Sequence, residues 1–318
     1  MPFSDLSFAD GPGAESVVGV DVGGTGIKAL LTDGAGRVLE ECRVPTPQAG
    51  PDVAGRVVSA VAACVESLVE SAPRVPAAVG LAVPGVVDEV RGVAVHSENL
   101  GWHEASLRDM LAERIRLPVA FAHDVRAGGL AEARIGAGRD RSSVVFIALG
   151  TGIAAALHLD GRLFAGRGYA GELGHTDVGH REPCVCGATG CLEAIASAAA
   201  IARRYRDRSG RPAVGSHEVL TLMQGGDAIA SRVWEEALDA LGLAVSWVVS
   251  VLAPEAVVFG GGLAEAGDAL LRPLTDRIDK RLTFQPRPLL LRAGLGDRAA
   301  ALGSALIARD LLDSGDPR

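Results

Sequence analysis

The sequence predicts an α/β protein of two related lobes with a cleft between them. Three observations carry this reading. Apolar runs of strand length, such as Val17-Val18-Gly19-Val20-Asp21-Val22, lead into glycine turns, as strands in the interior of a sheet do. One unit of this kind occurs twice. Gly24-Thr25-Gly26-Ile27 matches Gly150-Thr151-Gly152-Ile153, and each copy runs through small apolar residues to an Asp-Gly turn. The length, 318 residues, suits two domains at roughly 100–200 residues each.

The elements follow in order. Residues 1–16 are polar, contain Gly and Pro, and are expected to be disordered. A buried strand over 17–22 ends in Gly23-Gly24-Thr25-Gly26, and strands over 27–32 and 38–44 flank the turn 33–36. Asp52 caps a helix over 53–70, whose apolar stripe is Val57, Val58, Val61, Val65 and Leu68. A strand over 77–83 closes at Pro84-Gly85; a helix near 107–115 and a strand over 119–122 complete the first half. The second half begins with strands over 144–149 and 153–159 around Gly150-Thr151-Gly152. It continues to a long helix over 228–252, a strand over 256–259 leading into Gly260-Gly261-Gly262, and a final helix over 299–312 capped by Asp297 or a neighbour.

Composition removes several classes of function. Hydrophobic residues make up 48% of the chain, ample for a core. Acidic residues outnumber basic ones, 39 to 31, so the net charge of −8 offers no field for nucleic acid or anionic membrane. The uncharged run 240–254 is shorter than the ~20 residues of a spanning helix, and the run 142–159 is broken by its glycine turn and carries His158. Asp5, Asp10 and Glu15 fall where a signal peptide would be apolar, so a cytoplasmic protein is expected. The five cysteines do not read as a disulfide framework: Cys42 and Cys64 read as small core residues, and the other three are clustered.

The glycine turns are the first candidates for chemistry, because backbone N–H groups there can approach phosphate oxygens. The first turn adds Asp21 before it, Gly23, Gly24 and Thr25 within it, and Lys28 beyond it. A strand-end Asp facing phosphates calls for Mg²⁺. Taken alone, the turn reads equally well as a hairpin with an accidental Asp. Neither the Walker spacing nor a dinucleotide fingerprint is present, since a strand follows rather than a helix. Gly150, Thr151 and Gly152, and Gly260, Gly261 and Gly262, supply the second and third turns of a nucleotide site.

His175, Cys184, Cys186 and Cys191 form the most specific motif, a donor set for tetrahedral Zn²⁺ with no open catalytic position. Glu172 and Glu193 flank it, so the zinc loop would deliver two carboxylates to one place, a usual device for adjacent sugar hydroxyls. Without that loop both would read as surface charges. Asp124 follows an apolar strand at the start of a helix, where it is both a natural N-cap and a strand-end carboxylate. Asn99 is a further polar candidate.

Together these motifs resemble the ROK family of sugar kinases, in the actin-like ATPase superfamily. The resemblance rests on Asp21-Val-Gly-Gly-Thr25, Pro84-Gly85, Asn99, Asp124, Gly150-Thr-Gly-Ile153, Gly171-Glu-Leu-Gly-His175 and Cys184-Val-Cys-Gly-Ala-Thr-Gly-Cys-Leu-Glu193. It implies two ribonuclease-H-like lobes, a smaller one over 1–122 completed by a C-terminal helix over 300–318, and a larger one over 123–299. It also implies ATP, Mg²⁺ and a hexose, most simply glucose phosphorylated at O6, with structural Zn²⁺ and a homodimer. Fructose and the N-acetylhexosamines are the alternative acceptors, and polyphosphate an alternative donor. Asp124 matches the catalytic base. Asn99, Glu172, His175 and Glu193 match sugar-binding positions. Many relatives are sugar-responsive repressors with an N-terminal helix-turn-helix, for which the 16 residues before the first strand are too few. Two departures stand out: His123 replaces the usual Asn, and Ala154-Ala155-Ala156 stands where glycines are common.

Overall fold

The first apolar run, β1 (Val17–Val22), lies at the centre of a five-stranded sheet in the computed structural model, which describes residues 15–72 and 74–314. The disorder expected for residues 1–16 falls, up to residue 14, outside the described residues. On one side of β1 lies its antiparallel partner β2 (Gly26–Thr32), followed by β3 (Val38–Pro45), antiparallel to β2. Parallel strands β4 (Ala78–Val83) and β8 (Val119–His123) lie on the other, giving the order β3-β2-β1-β4-β8. Helix α1 (Val53–Ser71) is capped by Asp52, whose side chain accepts from the Gly55 N–H at 3.3 Å. Its valine stripe packs with α2 (Leu107–Ile115) on one face of the sheet. Between β4 and α2 a small sheet forms from β5 (Val86–Asp88), β6 (Val93–His96) and β7 (His103–Ala105).

On the opposite face of the large sheet, α9 (Ala299–Ser314) lies against β1 and β4, and α3 (Asp124–Arg134) lies against α9. Three glycines make these approaches possible. A Cβ on Gly19 would sit 2.0 Å from the Ala301 carbonyl oxygen, one on Gly80 1.8 Å from that of Ser304, and one on Gly303 1.8 Å from that of Ala127. Backbone replaces side chain at each contact, so the layers stand closer than residues with a Cβ allow.

The second sheet repeats the first. Its order is β11-β10-β9-β12-β13, from β9 (Val144–Leu149), β10 (Ile153–Leu159), β11 (Arg162–Phe164), β12 (Ala256–Gly260) and β13 (Leu289–Arg292). Again two strands joined by antiparallel pairing lie on one side of a central strand and two joined by parallel pairing lie on the other. The duplicated glycine motif thus marks a duplicated topology. Helices α4 (Leu192–Ala196), α5 (Ala198–Ser209), α6 (Ser216–Gln224), α7 (Ala228–Leu252) and α8 (Asp268–Asp279) build the core of this unit with β9 and β12.

Two compact units result. One holds the chain through Ile135 with Ala165–Tyr169 and the residues from Asp297 onward; the other holds Gly136–Phe164 and Ala170–Gly296. The sequence reading opened the second lobe at residue 123. Helix α3 follows β8 directly and packs along α9, so contacts group it with the first unit. Among the described residues no helix is long and apolar enough to cross a membrane.

One expectation is overturned. Cys42 and Cys64 were read as separate core thiols, but they form a disulfide joining β3 to α1, with Cα atoms 5.8 Å apart. They are 22 residues apart on elements of different type, so nothing in the local pattern signals their meeting. Denatured but unreduced protein should therefore show three reactive thiols, those of Cys184, Cys186 and Cys191, rather than five. A count of five by thiol labelling would contradict the bond.

Candidate functional site

In the first unit the glycine hairpin joins β1 to β2. The Gly23 N–H donates to the Gly26 carbonyl at 2.9 Å, and Thr46 ties the turn down through its N–H to Thr25 O and its hydroxyl to Gly23 O. Asp21 and Lys28 are register partners across this hairpin, so strand periodicity brings the two charges to one end of the sheet. Burial pushes the Asp21 pKa up to about 6; Lys28 opposes the rise and Asp297 adds to it. Lys28 Nζ lies 3.0 Å from Asp297 Oδ2, and Arg43 Nη1 reaches the same oxygen at 2.7 Å. The hydrogen bond from Arg43, with that from Lys28, pulls the Asp297 pKa down to about 2. Asp297 was expected as a helix cap; here its carboxylate holds the two cations beside a cavity of about 430 Å³ lined by Asp21, Thr25, Lys28 and Arg43. A carboxylate with a raised pKa, facing open space beside two cations, suits a bound cation carrying phosphates.

Asp124 is the first residue of α3, and His123 at the end of β8 occupies the cap position. Its Oδ1 accepts from the Val125 N–H at 2.7 Å and lies 3.3 Å from His123 Nε2. Burial, and after it the charge of Asp21, pushes the Asp124 pKa up to about 7, although 26% of the side chain remains exposed. Asn99 is exposed in the β6–β7 turn. That turn is anchored by buried Leu100 and Trp102, and His96 Nδ1 and His103 Nε2 meet across it at 3.1 Å.

In the second unit the Gly150-Thr151-Gly152 turn closes through Gly150 N–H to Gly152 O at 2.9 Å, one residue tighter than in the first hairpin. Glu193, on the first turn of α4, accepts from the Ile153 N–H through Oε2 at 2.8 Å. A Cβ on Gly152 would lie 2.5 Å from that oxygen. One carboxylate oxygen of Glu193 is therefore spent on the turn, a tie the sequence reading did not anticipate. Glu172 and His175 are exposed on a segment that runs against β10, with Ala155 N–H bonded to Gly171 O at 2.7 Å. Gly171 and Gly174 permit the contact. Ala155 and Ala156 are buried, so their methyl groups fill the core rather than crowd the turn. In the third glycine run Gly261 has a φ of +82°, and a Cβ there would strike Leu149 O at 2.5 Å, so close packing on β9 already requires it.

His175, Cys184, Cys186 and Cys191 converge, with one ligand atom from each lying within 4.8 Å of the others. Cys186 Sγ and Cys191 Sγ are 3.6 Å apart, and Cys184 Sγ is 3.7 Å from His175 Nδ1. Tetrahedral zinc with Zn–S of about 2.3 Å puts neighbouring sulfurs roughly 3.7 Å apart, so the donor set fits the ion. Burial and the adjacent thiols push Cys191 up to about 12, so a cluster of thiolates here needs a cation. His180 braces the loop. Its Nδ1 accepts from the Glu182 N–H at 3.0 Å, which leaves Nε2–H to donate to Cys191 O at 2.9 Å.

The chain as a whole is similar to known proteins. The chain is 32% identical over 281 residues to a glucokinase of Halalkalibacterium halodurans, covering 82% of this chain and 84% of that one. It superposes on the ROK hexokinase of Thermus thermophilus with a TM-score of 0.85 at 36% identity, covering 94% of this chain and 100% of that one. For a ROK family glucokinase of Streptomyces griseus in complex with glucose and AMPPNP, the TM-score is 0.79 at 29% identity, covering 93% and 99%. The two repeated sheets are those of the actin-like ATPase fold of these kinases. With the ROK family model matching residues 17–311, the chain belongs to the ROK family.

Proposed function

We propose that this protein is an ATP-dependent sugar kinase that transfers the γ-phosphoryl group to a hexose, glucose at O6 in the first instance. The observation that carries the reading is Asp124: a strand-end carboxylate with its pKa pushed up to about 7, in a unit that also holds Asp21 and the Thr25–Lys28 hairpin. Such a carboxylate can take a proton near neutral pH. As the sugar O6 attacks the γ-phosphorus, the bond from phosphorus to the β–γ bridging oxygen breaks, ADP leaves, and the O6 proton passes to Asp124. Asp21, Thr25, Lys28 and the three glycine turns are assigned to the nucleotide, with Asp21 holding hydrated Mg²⁺, which neutralises phosphate charge when bound. Asn99, Glu172, His175 and Glu193 are assigned to sugar hydroxyls. In this reading His175 turns Nδ1 to zinc and keeps Nε2 for the sugar, while Glu193 keeps Oε1.

A panel of hexoses and N-acetylhexosamines, assayed for ADP release with ATP and in parallel with polyphosphate as donor, tests the reading. Sugar-dependent ADP release with glucose among the best acceptors is expected; no sugar accelerating ATP turnover would refute it. Zinc is assigned to the His175–Cys191 loop, where structural sites contribute on the order of 10 kcal/mol to local folding. Cys186→Ser should therefore lower the zinc content measured by elemental analysis and raise the glucose KM. Full glucose affinity in metal-free protein would contradict the assignment.

A further inference from the structure

Resting on the reading of Asp124 as the base, we propose that His123 is a positioning residue: its neutral imidazole donates Nε2–H to Asp124 Oδ1, leaving Oδ2 to meet the sugar hydroxyl. The surroundings of the carboxylate support this. Oδ1 accepts from the Val125 N–H at 2.7 Å, and His123 Nε2 stands 3.3 Å from the same oxygen, within reach of a hydrogen bond. No side chain among the described residues hydrogen-bonds Oδ2. A carboxylate held at one oxygen presents the other in a fixed direction, as proton abstraction in the transition state requires.

The state of the ring follows from its surroundings. His123 Nδ1 is buried without a hydrogen-bond partner. A proton there would be an unpaired buried donor, whereas a proton on Nε2 faces the carboxylate, so the Nε2–H tautomer is favoured. Burial, and after it the positive charge of Arg126, drives the imidazole pKa down to about 3, so the ring is neutral where the base works. It therefore steadies Asp124 by donating a hydrogen bond and not by adding a charge.

The peptide of His123 is held as firmly as the ring. Its N–H donates to Glu89 Oε1 at 3.0 Å, and the same oxygen accepts from Arg126 Nε at 2.9 Å. Arg126 is 2% exposed, and its Nη1 donates to Gly168 O at 3.1 Å. Thus a Glu89–Arg126 pair locks the β8–α3 junction at the residue before the base. The charged and titratable groups around Asp124 are then Asp21 on β1, His123 on β8, Arg126 on α3 and Glu89 after β5; Lys28 and Asp297 act through Asp21.

Steady-state kinetics with glucose and ATP on three variants, each with a pH profile, test the proposal. The amide nitrogen of Gln reaches about as far as imidazole Nε2, while that of Asn stops near Nδ1. His123→Asn should lower kcat about tenfold with the glucose KM within about twofold. Losing a donor destabilises the carboxylate, so the acidic limb should move to higher pH. His123→Gln should restore most of kcat and return the limb. Wild-type kcat and limb in His123→Asn would overturn the proposal. So would a rise in KM alone, the mark of a sugar contact, or a folded His123→Gln as impaired as His123→Asn. Nitrogen-15 NMR of the wild-type histidines gives an activity-independent check: His123 should hold Nε2–H and stay neutral, and an Nδ1–H tautomer would refute it. The third variant, Asp124→Asn, separates the two claims. If it keeps its activity, the base assignment fails; if it is inactive while His123→Asn is unaffected, only the positioning role fails.

Discussion

Asp124→Asn is expected to lower kcat by roughly 10²–10⁴-fold, the usual worth of general-base assistance, with the glucose KM changed by no more than about threefold. The amide still offers an oxygen to the sugar but cannot take its proton. Positioning and phosphate neutralisation remain, so a residual rate should persist. The raised pKa adds a second, opposite effect. Between the ordinary value of 3.8 and about 7, the folded chain holds a proton on Asp124 that the unfolded chain has released. Stability therefore falls as pH rises through that window, while activity, which needs the carboxylate, rises. The Asn variant should accordingly keep only this residual rate yet be at least as stable as the parent at neutral pH, as a thermal melt will show. A variant both inactive and destabilised would point to a structural role for Asp124.

Gly303→Ala should be among the most damaging of single-methyl changes. In an exposed helix, replacing Gly by Ala gains about 1 kcal/mol of propensity. Here the new Cβ would lie 1.8 Å from the Ala127 carbonyl oxygen, a backbone atom of α3 that no side-chain rotation can move aside. Overpacking of this kind costs roughly 1–3 kcal/mol or more, so the sign reverses, and the melting temperature should drop by several degrees. Gly215→Ala is the control: a Cβ there meets nothing within 4 Å, and the melt should scarcely change. Equal melts for the two variants would contradict the close packing of α9 on α3.

Which features the sequence revealed depended on how far apart the interacting residues are. Asp21 and Lys28 were legible because period-2 strands around a glycine turn return to the same end. The converging donor set was legible because His175, Cys184, Cys186 and Cys191 fall within a single loop. The duplicated sheet announced itself through Gly24–Ile27 and Gly150–Ile153. What stayed hidden involves partners distant in sequence. Glu89 lies 34 residues from His123 and 37 from Arg126. Asp297 meets Lys28 across 269 positions, and Cys42 pairs with Cys64 across two element types. The small sheet β5-β6-β7 also escaped, because strands of three or four residues are too short to show a period. Glu193 was singled out for its neighbourhood, but its bond to the Ile153 N–H depends on how α4 meets β10.

The most direct measurement is phosphorus-31 NMR of the protein incubated with ATP, Mg²⁺ and glucose. The expected spectrum gains ADP and a sugar phosphomonoester at O6 in equal amounts, and gains neither when glucose is omitted. ADP with inorganic phosphate and no phosphomonoester, or ATP left intact with every hexose offered, would contradict assignment of Asp124 as the base that delivers a sugar hydroxyl to the γ-phosphate.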